Sequence, residues 1–356
     1  MAIFRRSFRV RLVARAAALI LAGSVVSVAG NIADADEPRG LEFYFLDTEG
    51  GAATLIVTPA GESILIDSGN PGDRDAGRIA KAARDAGLSQ IDHYITTHWH
   101  SDHVGGAAPL AKLIPIRQAY GHRIPDPLPE DINPELIAAW RGIATDPIWL
   151  SAGDTVKLRG SRGTPTPRLR IVAADGLVDG EKEGAGPITK CDDQNDAMPE
   201  DTSDNARSVA MVLSFGPFDF FAGGDLTWNI EHKLTCPRRI VPKVDVYLAD
   251  HHGLDVSNNP TLVSALAPDV AIVNNGPRKG AEPRTIALLL KEPGDTGLFQ
   301  LHRNVRDGAV NAEPARVANA AEECRGEMLR LRVDRRGEHY AVEIPSRGTV
   351  RDYNSR

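Results

Sequence analysis

The chain has 356 residues, of which 42% are hydrophobic and 25% are charged, and its formal net charge is −7. This composition is ordinary for a soluble globular protein with a sizeable core, in one large domain or two small ones. The acidic balance disfavours a large nucleic-acid-binding surface. Three cysteines at irregular spacing exclude a disulfide framework. They could form one disulfide bond, whose pairing the sequence leaves open, or they could be buried as small apolar side chains.

Residues 1–35 have the pattern of an export signal. Five arginines precede the apolar run Ala16–Val28, and Ala33-Asp34-Ala35 has the small-x-small form of a signal-peptidase site. Arg5-Arg6-Ser7-Phe8 also resembles a twin-arginine signal. We therefore expect a periplasmic or secreted protein, cleaved after Ala35, with a net charge of −11 and no stable membrane association. An uncleaved anchor over Ala16–Ala33 is the alternative.

The first half of the chain alternates strands and helices. Apolar, β-branched runs bounded by turn residues predict strands, and apolar residues at helical spacing predict helices. The predicted strands are Phe43–Leu46, Thr54–Thr58, Ser63–Asp67 and Ile91–Thr96, and the predicted helices are Asp75–Gly87, Ala107–Leu113 and Asn133–Gly142. Asn133 is the expected cap of the last helix, with Pro134 at its first position. The first three strands form an expected meander.

The second half continues the alternation after a long acidic insertion. Ala174–Asp204 has ten Asp or Glu residues against two Lys, which favours a solvated loop over a calcium site or a lid. The predicted strands are Leu169–Ala173, Ser208–Phe215, Phe218–Ala222, Val244–Leu248, Val270–Val273, Met328–Val333 and His339–Ile344, and the predicted helices are Pro260–Leu266 and Pro283–Lys291. No linker is evident, so residues 36–356 read as one catalytic domain.

Four metal-competent side chains lie within six residues after the strand Ile91–Thr96. They are His98, His100, Asp102 and His103. Imidazole and carboxylate ligands suit zinc, and also iron or manganese. One loop of this kind can surround two neighbouring ions, so the sequence predicts metal binding.

Two further polar clusters also follow predicted strands. Asp225 comes after Gly223-Gly224, and His251-His252 comes after Val244–Leu248. Strand ends on one edge of a layered α/β fold can converge. Read alone, Asp225 could cap a helix and the histidines could be turn residues, but beside the first cluster we expect all three to meet.

Together these motifs resemble the metallo-β-lactamase superfamily, and more closely the metallo-hydrolase domain of the ComEC competence protein and its stand-alone secreted relatives. The pattern T-P-x-G-x-x-x-L-I-D-S-G followed by T-H-x-H-x-D-H-x-G-G is matched from Thr58 to Gly106, with Gly223–Leu226 and His251–Gly253 as further matches. The resemblance covers about residues 41–305. It implies an αββα four-layer sandwich with a two-metal site at one edge of paired sheets.

The resemblance also implies a ligand set. His98 and His100 would bind the first metal, Asp102 and His103 the second, and Asp225 would bridge both. The last histidine falls at His251 or His252, with His252 preferred because Gly follows it, and Asp67 would orient a ligand imidazole. One departure stands out, because no His occurs between His122 and His232 to complete the first site. Asn205, Asp204 or water would then take that place.

The implied activity is that of an exported hydrolase with two divalent ions, most simply zinc. A water bound to them loses a proton to become the attacking hydroxide, and Asp102 orients this hydroxide or shuttles its proton. The expected substrate is a small-molecule phosphoric ester, as for a phosphodiesterase or nuclease. DNA is disfavoured by the net charge unless Arg303 and Arg306 form a basic surface. A β-lactam or lactone hydrolase and a non-enzymatic metal-binding protein are the alternatives. Candidate substrate-contacting residues are Trp99, His122, Asn274, Asn275, Arg278 and His302.

Overall fold

A computed structural model describes residues 39–181, 198–294 and 297–356. The predicted export signal and the middle of the acidic insertion, residues 182–197, lie outside these ranges. Among the described residues, no helix has both the length and the apolar character needed to cross a membrane.

The strands of the described residues fall into two sheets. They are β1 Glu42–Phe45, β2 Thr54–Val57, β3 Ser63–Ile66, β4 His93–Ile95, β5 Ala119–Gly121, β6 Ile148–Trp149, β7 Thr155–Val156, β8 Arg168–Ala174, β9 Leu177–Val178, β10 Ala210–Phe215, β11 Phe218–Ala222, β12 Val246–Leu248, β13 Val270–Val273, β14 Leu298–His302, β15 Val317–Asn319, β16 Leu329–Val333, β17 His339–Ile344 and β18 Thr349–Asn354. One sheet has the order β18-β17-β16-β1-β2-β3-β4-β5-β6, and the other has the order β15-β14-β13-β12-β11-β10-β8-β7, with β9 beside β8.

The α-helices cover the outer faces of these sheets. They are α1 Asp73–Asp85, α2 Ser101–Val104, α3 Ala107–Leu113, α4 Pro134–Ile143, α5 Trp228–Lys233, α6 Pro260–Leu266 and α7 Pro283–Leu289. Apolar residues of α1, α3 and α4 pack on the first sheet, and those of α6 and α7 pack on the second. Between the sheets lies a third apolar layer, where the rings of Phe43 and Phe220 are 4.9 Å apart. The predicted αββα four-layer sandwich is therefore confirmed.

Most predicted elements are confirmed within one or two residues of their expected bounds. The initial meander forms as an antiparallel β1-β2-β3 unit, and β10 pairs with β11 around Gly216-Pro217 as expected. Helix α4 begins as predicted, because Asn133 Oδ1 accepts a hydrogen bond of 2.9 Å from the Glu135 amide. These elements form where a local turn or cap signal marks their ends.

Seven strands of the described chain were not predicted. Strands β5, β6, β7 and β9 have only two or three residues each, too few to display a periodicity, and β9 lies within the segment predicted as a loop. Strands β14 and β15 complete one edge of the second sheet, and β18 is an edge strand whose side chains are mostly exposed. Their pairing partners, rather than their own sequences, define them.

The topology brings four strand ends to one place. In the first sheet β3 and β4 run parallel, and in the second sheet β11 and β12 run parallel. The loops that follow these strands carry Asp67, the His98–His103 motif, Asp225 and the His251-His252 pair. The amide of Val209 donates a 2.9 Å hydrogen bond to the carbonyl of Thr97, which ties the second sheet to the histidine loop of the first.

Candidate metal centre

The histidine loop turns sharply because small residues allow close backbone approach. Helix α2 is a single turn that begins at Ser101, directly after His100. A Cβ atom at Gly106 would lie 2.0 Å from the carbonyl oxygen of Ser68, so only glycine fits there. The amide of Ser68 also donates to the carbonyl of His103 at 2.7 Å. The loop is thus held against the end of β3.

Asp225 lies at the centre of the site. Its Oδ2 atom is 3.2 Å from His103 Nε2, 3.4 Å from His252 Nε2, 3.5 Å from His251 Nε2 and 3.9 Å from His98 Nε2. The residue is only 3% exposed. The structure therefore brings all three predicted clusters together around one carboxylate.

The donors around Asp225 form two close sets. In one, His98 Nε2 and His100 Nδ1 are 3.1 Å apart. In the other, His252 Nε2 lies 3.2 Å from His103 Nε2 and 3.1 Å from Asp102 Oδ2. Four donors, from Asp102, His103, Asp225 and His252, lie within 4.8 Å of one another. Donors around a tetrahedral zinc ion, with bonds of about 2.0–2.1 Å, lie roughly 3.3 Å apart, so these separations fit a metal ion.

Hydrogen bonds on the far side of each ring orient the imidazoles towards this centre. His103 Nδ1 lies 2.8 Å from Asp67 Oδ2, and an ionised carboxylate can only accept, so Nδ1 carries a proton. Thr97 donates its hydroxyl proton to Asp67 at 2.7 Å and therefore accepts from His98 Nδ1 at 3.1 Å. His100 Nε2 lies 2.9 Å from Asp131 Oδ2. In each ring the nitrogen that faces the centre is the one available to a metal.

The electrostatics of the centre favour a bound cation. Burial opposes charge on His103, but the carboxylates of Asp225, Asp102 and Asp67 outweigh it and raise the pKa of His103 well above its usual range. Burial likewise opposes ionisation of Asp225, yet the neighbouring histidines lower its pKa well below the usual range. Burial and the neighbouring charge of His103 lower the pKa of His98. The carboxylates that favour charge on His103 would equally favour a divalent cation, and carboxylate with imidazole is a ligand set that such metals accept.

Lys279 is a neighbour of the centre that sequence reasoning missed. Its Nζ atom lies 2.5 Å from Asp102 Oδ2, and its side chain remains 43% exposed. Burial raises the pKa of Asp102, but His103 and His252 lower it well below its usual range. Asp102 is therefore an ionised acceptor at the boundary between the buried donors and solvent.

Asn205 reaches the centre, whereas Asp204 does not. Asn205 Nδ2 lies 3.4 Å from His251 Nε2, and a 180° rotation of the amide would turn its Oδ1 atom to the same position. Asp204 is fully buried and accepts a 2.7 Å hydrogen bond from the Trp99 amide. Its other partner is His122 Nε2 at 3.2 Å. Asp204 thus braces the histidine loop from behind.

Most of the candidate substrate-contacting residues have other roles. Trp99 and His122 are fully buried and pack edge to face at 5.5 Å. His302 is also fully buried and bonds to Asp47 at 2.7 Å. Asn275 donates to the carbonyls of Gly276 and His302, and Arg278 pairs with Glu322 on the surface.

The cysteines divide into one free thiol and one bridge. Cys324 carries a free thiol, which donates to Asp47 at 3.1 Å. Cys236 is disulfide-bonded, and its partner lies outside the described residues.

Sequence reasoning found one residue that orients a ligand, Asp67, which lies 2.8 Å from His103 Nδ1, but it missed the others. Thr97 is the first residue of the motif, which was a local signal for its role, but Asp131 and Ser257 come from distant loops. Ser257 Oγ lies 3.2 Å from His251 Nδ1. Only the tertiary structure brings such residues to the site.

A cavity of about 340 Å³ adjoins the centre at His251 and Asn205. Its apolar lining residues are Met198, Pro199, Trp228 and Val256, and Glu200 and Asp201 add carboxylates. Asn229 fixes one wall by donating to the carbonyl of Met198 at 2.8 Å. The cavity is large enough for a small organic group beside the candidate metal ligands.

Comparison with known proteins gives a family for part of the chain. Residues 46–174 match the model of the metallo-beta-lactamase superfamily. Thioesterase pkgB of Emericella nidulans is 38% identical over 77 residues, which are 22% of each chain. The atrochrysone carboxyl ACP thioesterase of Aspergillus terreus is 35% identical over 65 residues, 18% of this chain and 20% of the relative. The chain thus spans about a fifth of the length of these curated relatives.

Solved structures with similar architecture have low sequence identity to this chain. MEM-A1, a subclass B3 metallo-beta-lactamase from a soil metagenome library, is 14% identical with a TM-score of 0.39, over 72% of this chain and 94% of that one. CmlA, a diiron beta-hydroxylase from Streptomyces venezuelae, is 15% identical with a TM-score of 0.37, over 66% and 45% of the two chains. Residues 46–174 thus match the metallo-β-lactamase superfamily, and with the two-sheet sandwich described above the chain adopts the metallo-β-lactamase fold.

Proposed function

We propose that this protein is a metal-dependent hydrolase that uses two divalent ions, most simply zinc, with manganese or iron as alternatives. The observation that carries the proposal is the convergence of imidazole and carboxylate donors on Asp225, at distances of 3.2–3.9 Å. Partners behind His98, His100 and His103 pair with the outward nitrogen of each ring and leave the other nitrogen facing Asp225 and its neighbours. That arrangement supports a role in ligating metal.

When bound, divalent ions would supply Lewis acidity and would lower the pKa of a water from about 15.7 towards about 7. The chain's own residues would do the rest. His98 and His100 would hold one ion, His103 and His252 the other, and Asp225 would lie between them. Asp102, ionised and beside solvent, would orient the attacking water and accept its proton, and Lys279 would hold that carboxylate in place.

For the substrate, we propose two classes of ester. The phosphoric ester follows from the resemblance to ComEC-like hydrolases, and the exposed Lys279 beside the centre supports an anionic substrate. The carboxylic thioester or ester is supported by the cavity, because its apolar wall suits an acyl group and its two carboxylates, Glu200 and Asp201, repel phosphate. The thioesterase names of the short curated matches point the same way. The cavity favours the acyl ester.

We also propose that the protein is exported, on the basis of residues 1–35 alone. Expression in a Gram-negative host, followed by fractionation and N-terminal sequencing, tests this. A periplasmic product that begins at Asp36 supports export and cleavage, whereas a cytoplasmic product that keeps its first residues contradicts them.

The function is tested by rates on a panel of reporters with chelated and metal-reconstituted protein. The panel contains an acyl thioester, a phosphodiester, a β-lactam and single-stranded DNA. Metal-dependent hydrolysis of the thioester is expected, and phosphodiester cleavage alone would select the other class. Fully metallated protein that hydrolyses none of them would favour a binding protein.

Replacement of the central carboxylate provides the matched variant. Asp225→Asn should lower metal content and turnover together, since the amide brings no negative charge between the ions. Asp219→Asn, the same change in β11 away from the centre, is the control and should leave both unchanged. An Asp225→Asn protein with normal metal content and normal rate would refute a role for Asp225 between the ions.

A further inference from the structure

We infer that His251 is the third imidazole ligand of the first metal, so that the adjacent residues His251 and His252 each serve a different ion. The sequence provides no histidine between His122 and His232 for this place. The inference rests on the metal binding in the proposed function, but it does not require hydrolysis.

An unusual backbone conformation lets both histidines face the centre. Side chains of successive residues normally diverge, but His251 and His252 both have left-handed backbones, with φ of 52° and 54°. Their rings lie 6.2 Å apart, and both Nε2 atoms face Asp225 Oδ2, at 3.5 Å and 3.4 Å. Left-handed conformations are costly for non-glycine residues and persist where the surrounding structure holds them. Here the amide of His251 donates to the carbonyl of Gly224 at 2.9 Å.

Hydrogen bonding leaves the correct nitrogen of His251 free to bind a metal. Ser257 donates its only hydroxyl proton to the carbonyl of Leu226, at 2.6 Å. Its oxygen must therefore accept from His251 Nδ1, which lies 3.2 Å away. The proton is then on Nδ1, and Nε2 presents a lone pair to the centre. Ser257 thus does for His251 what Thr97 does for His98.

The two histidines have different neighbours. His252 Nε2 lies within 3.2 Å of both Asp102 Oδ2 and His103 Nε2, the donors expected for the second metal. His251 Nε2 instead lies 3.4 Å from the side-chain amide of Asn205. On this assignment each ion has three donors besides Asp225: His98, His100 and His251 for the first, and Asp102, His103 and His252 for the second. His251 would then take the place of the missing histidine.

Metal stoichiometry tests this assignment independently of activity. The full-length chain and its variants are dialysed against buffered free Zn²⁺, and bound zinc is measured by mass spectrometry, with circular dichroism as the check of folding. The wild type should bind two equivalents. His251→Ala and His252→Ala should each bind one, because each loses a ligand of a different ion.

A positioning variant and a matched control complete the experiment. Ser257→Ala should keep two sites but weaken one of them about tenfold, since it keeps His251 and removes the acceptor that orients it, together with the hydrogen bond to the Leu226 carbonyl. His93→Ala, at the start of β4 and paired with Glu62 away from the centre, should bind two equivalents like the wild type. If His251→Ala fails to fold, His251→Gln replaces it, and Ser257→Ala gives a second measurement.

The outcomes separate this inference from the proposed function. A folded His251→Ala protein that binds two equivalents with unchanged affinity overturns the inference and leaves the hydrolase proposal standing. The inference is also overturned if the wild type binds a single equivalent of zinc that His251→Ala retains and His252→Ala loses. A wild type that binds no zinc contradicts both.

Discussion

Asp67 offers a sharp test of how the protein prepares its ligands. The residue is 1% exposed and accepts three hydrogen bonds: from the Thr97 amide at 2.7 Å, from the Thr97 hydroxyl at 2.7 Å and from His103 Nδ1 at 2.8 Å. It also has a left-handed backbone, with φ of 59°. Asn tolerates that conformation, so Asp67→Asn changes the hydrogen bonding with little backbone strain.

The expected effect can be worked out atom by atom. In the Asn variant the amide oxygen can still accept from the Thr97 amide, while Nδ2 replaces the oxygen that faces His103. Two donors would then meet, unless the His103 proton moves to Nε2, where it blocks the metal. We expect zinc affinity at the second site to fall about 10- to 100-fold, or roughly 1.4–2.7 kcal/mol. Asp67 Oδ2 accepts from both His103 Nδ1 and the Thr97 hydroxyl, and loss of these two charge-assisted hydrogen bonds should lower the free energy of unfolding by at least about 1.5–3 kcal/mol.

The assay is competitive zinc titration with a chromophoric chelator, alongside urea unfolding of the metal-free protein. Asp92→Asn is the control, because Asp92 is 4% exposed and accepts from Ser63 at the opposite end of β3. It should alter stability without changing zinc affinity. Zinc affinity of Asp67→Asn within twofold of the wild type would refute the orienting role of Asp67.

Two other predictions concern the packing of the loop and the free thiol. Gly106→Ala should lower the free energy of unfolding in urea by about 1–3 kcal/mol or more, because its Cβ would meet the Ser68 carbonyl oxygen at 2.0 Å. Gly77→Ala, in α1, is the control: its Cβ would meet open space, and the change should stabilise the protein slightly. Burial, aided by Asp47, raises the pKa of the Cys324 thiol to about 11, so alkylation at pH 8 should be about 100-fold slower than for a thiol of pKa 9 and should rise with pH. An alkylation rate that levels off near pH 9 would contradict this.

Local signals in the sequence predicted most of the fold. Asn133 followed by Pro134 marked the start of α4, and Gly216-Pro217 marked the turn between β10 and β11, since caps and turns depend on a few adjacent residues. The two-residue strand β6 has no such signal. It forms because β5 offers it a partner. Short strands of this kind depend on sheet context more than on their own sequence.

The candidate site likewise divides into residues that local sequence patterns predicted and residues that only tertiary packing brings in. The spacing of His98, His100 and His103 is a local pattern, so the metal motif could be found without a structure. The sequence left His251 and His252 as alternatives, because residues adjacent in a chain usually point apart and only the left-handed backbone turns both inwards. Ser257 and Lys279 reach the centre through tertiary packing, which a single sequence does not encode in any short pattern.

Metal dependence is the central claim, and a titration of metal-free protein with Zn²⁺ tests it most directly. Bound zinc and hydrolysis of the acyl thioester reporter are followed in the same samples. We expect binding to reach two equivalents per chain and hydrolysis to appear as the sites fill and to vanish when a chelator removes the metal. Hydrolysis that persists in metal-free protein, or folded protein that takes up no zinc, would contradict the account.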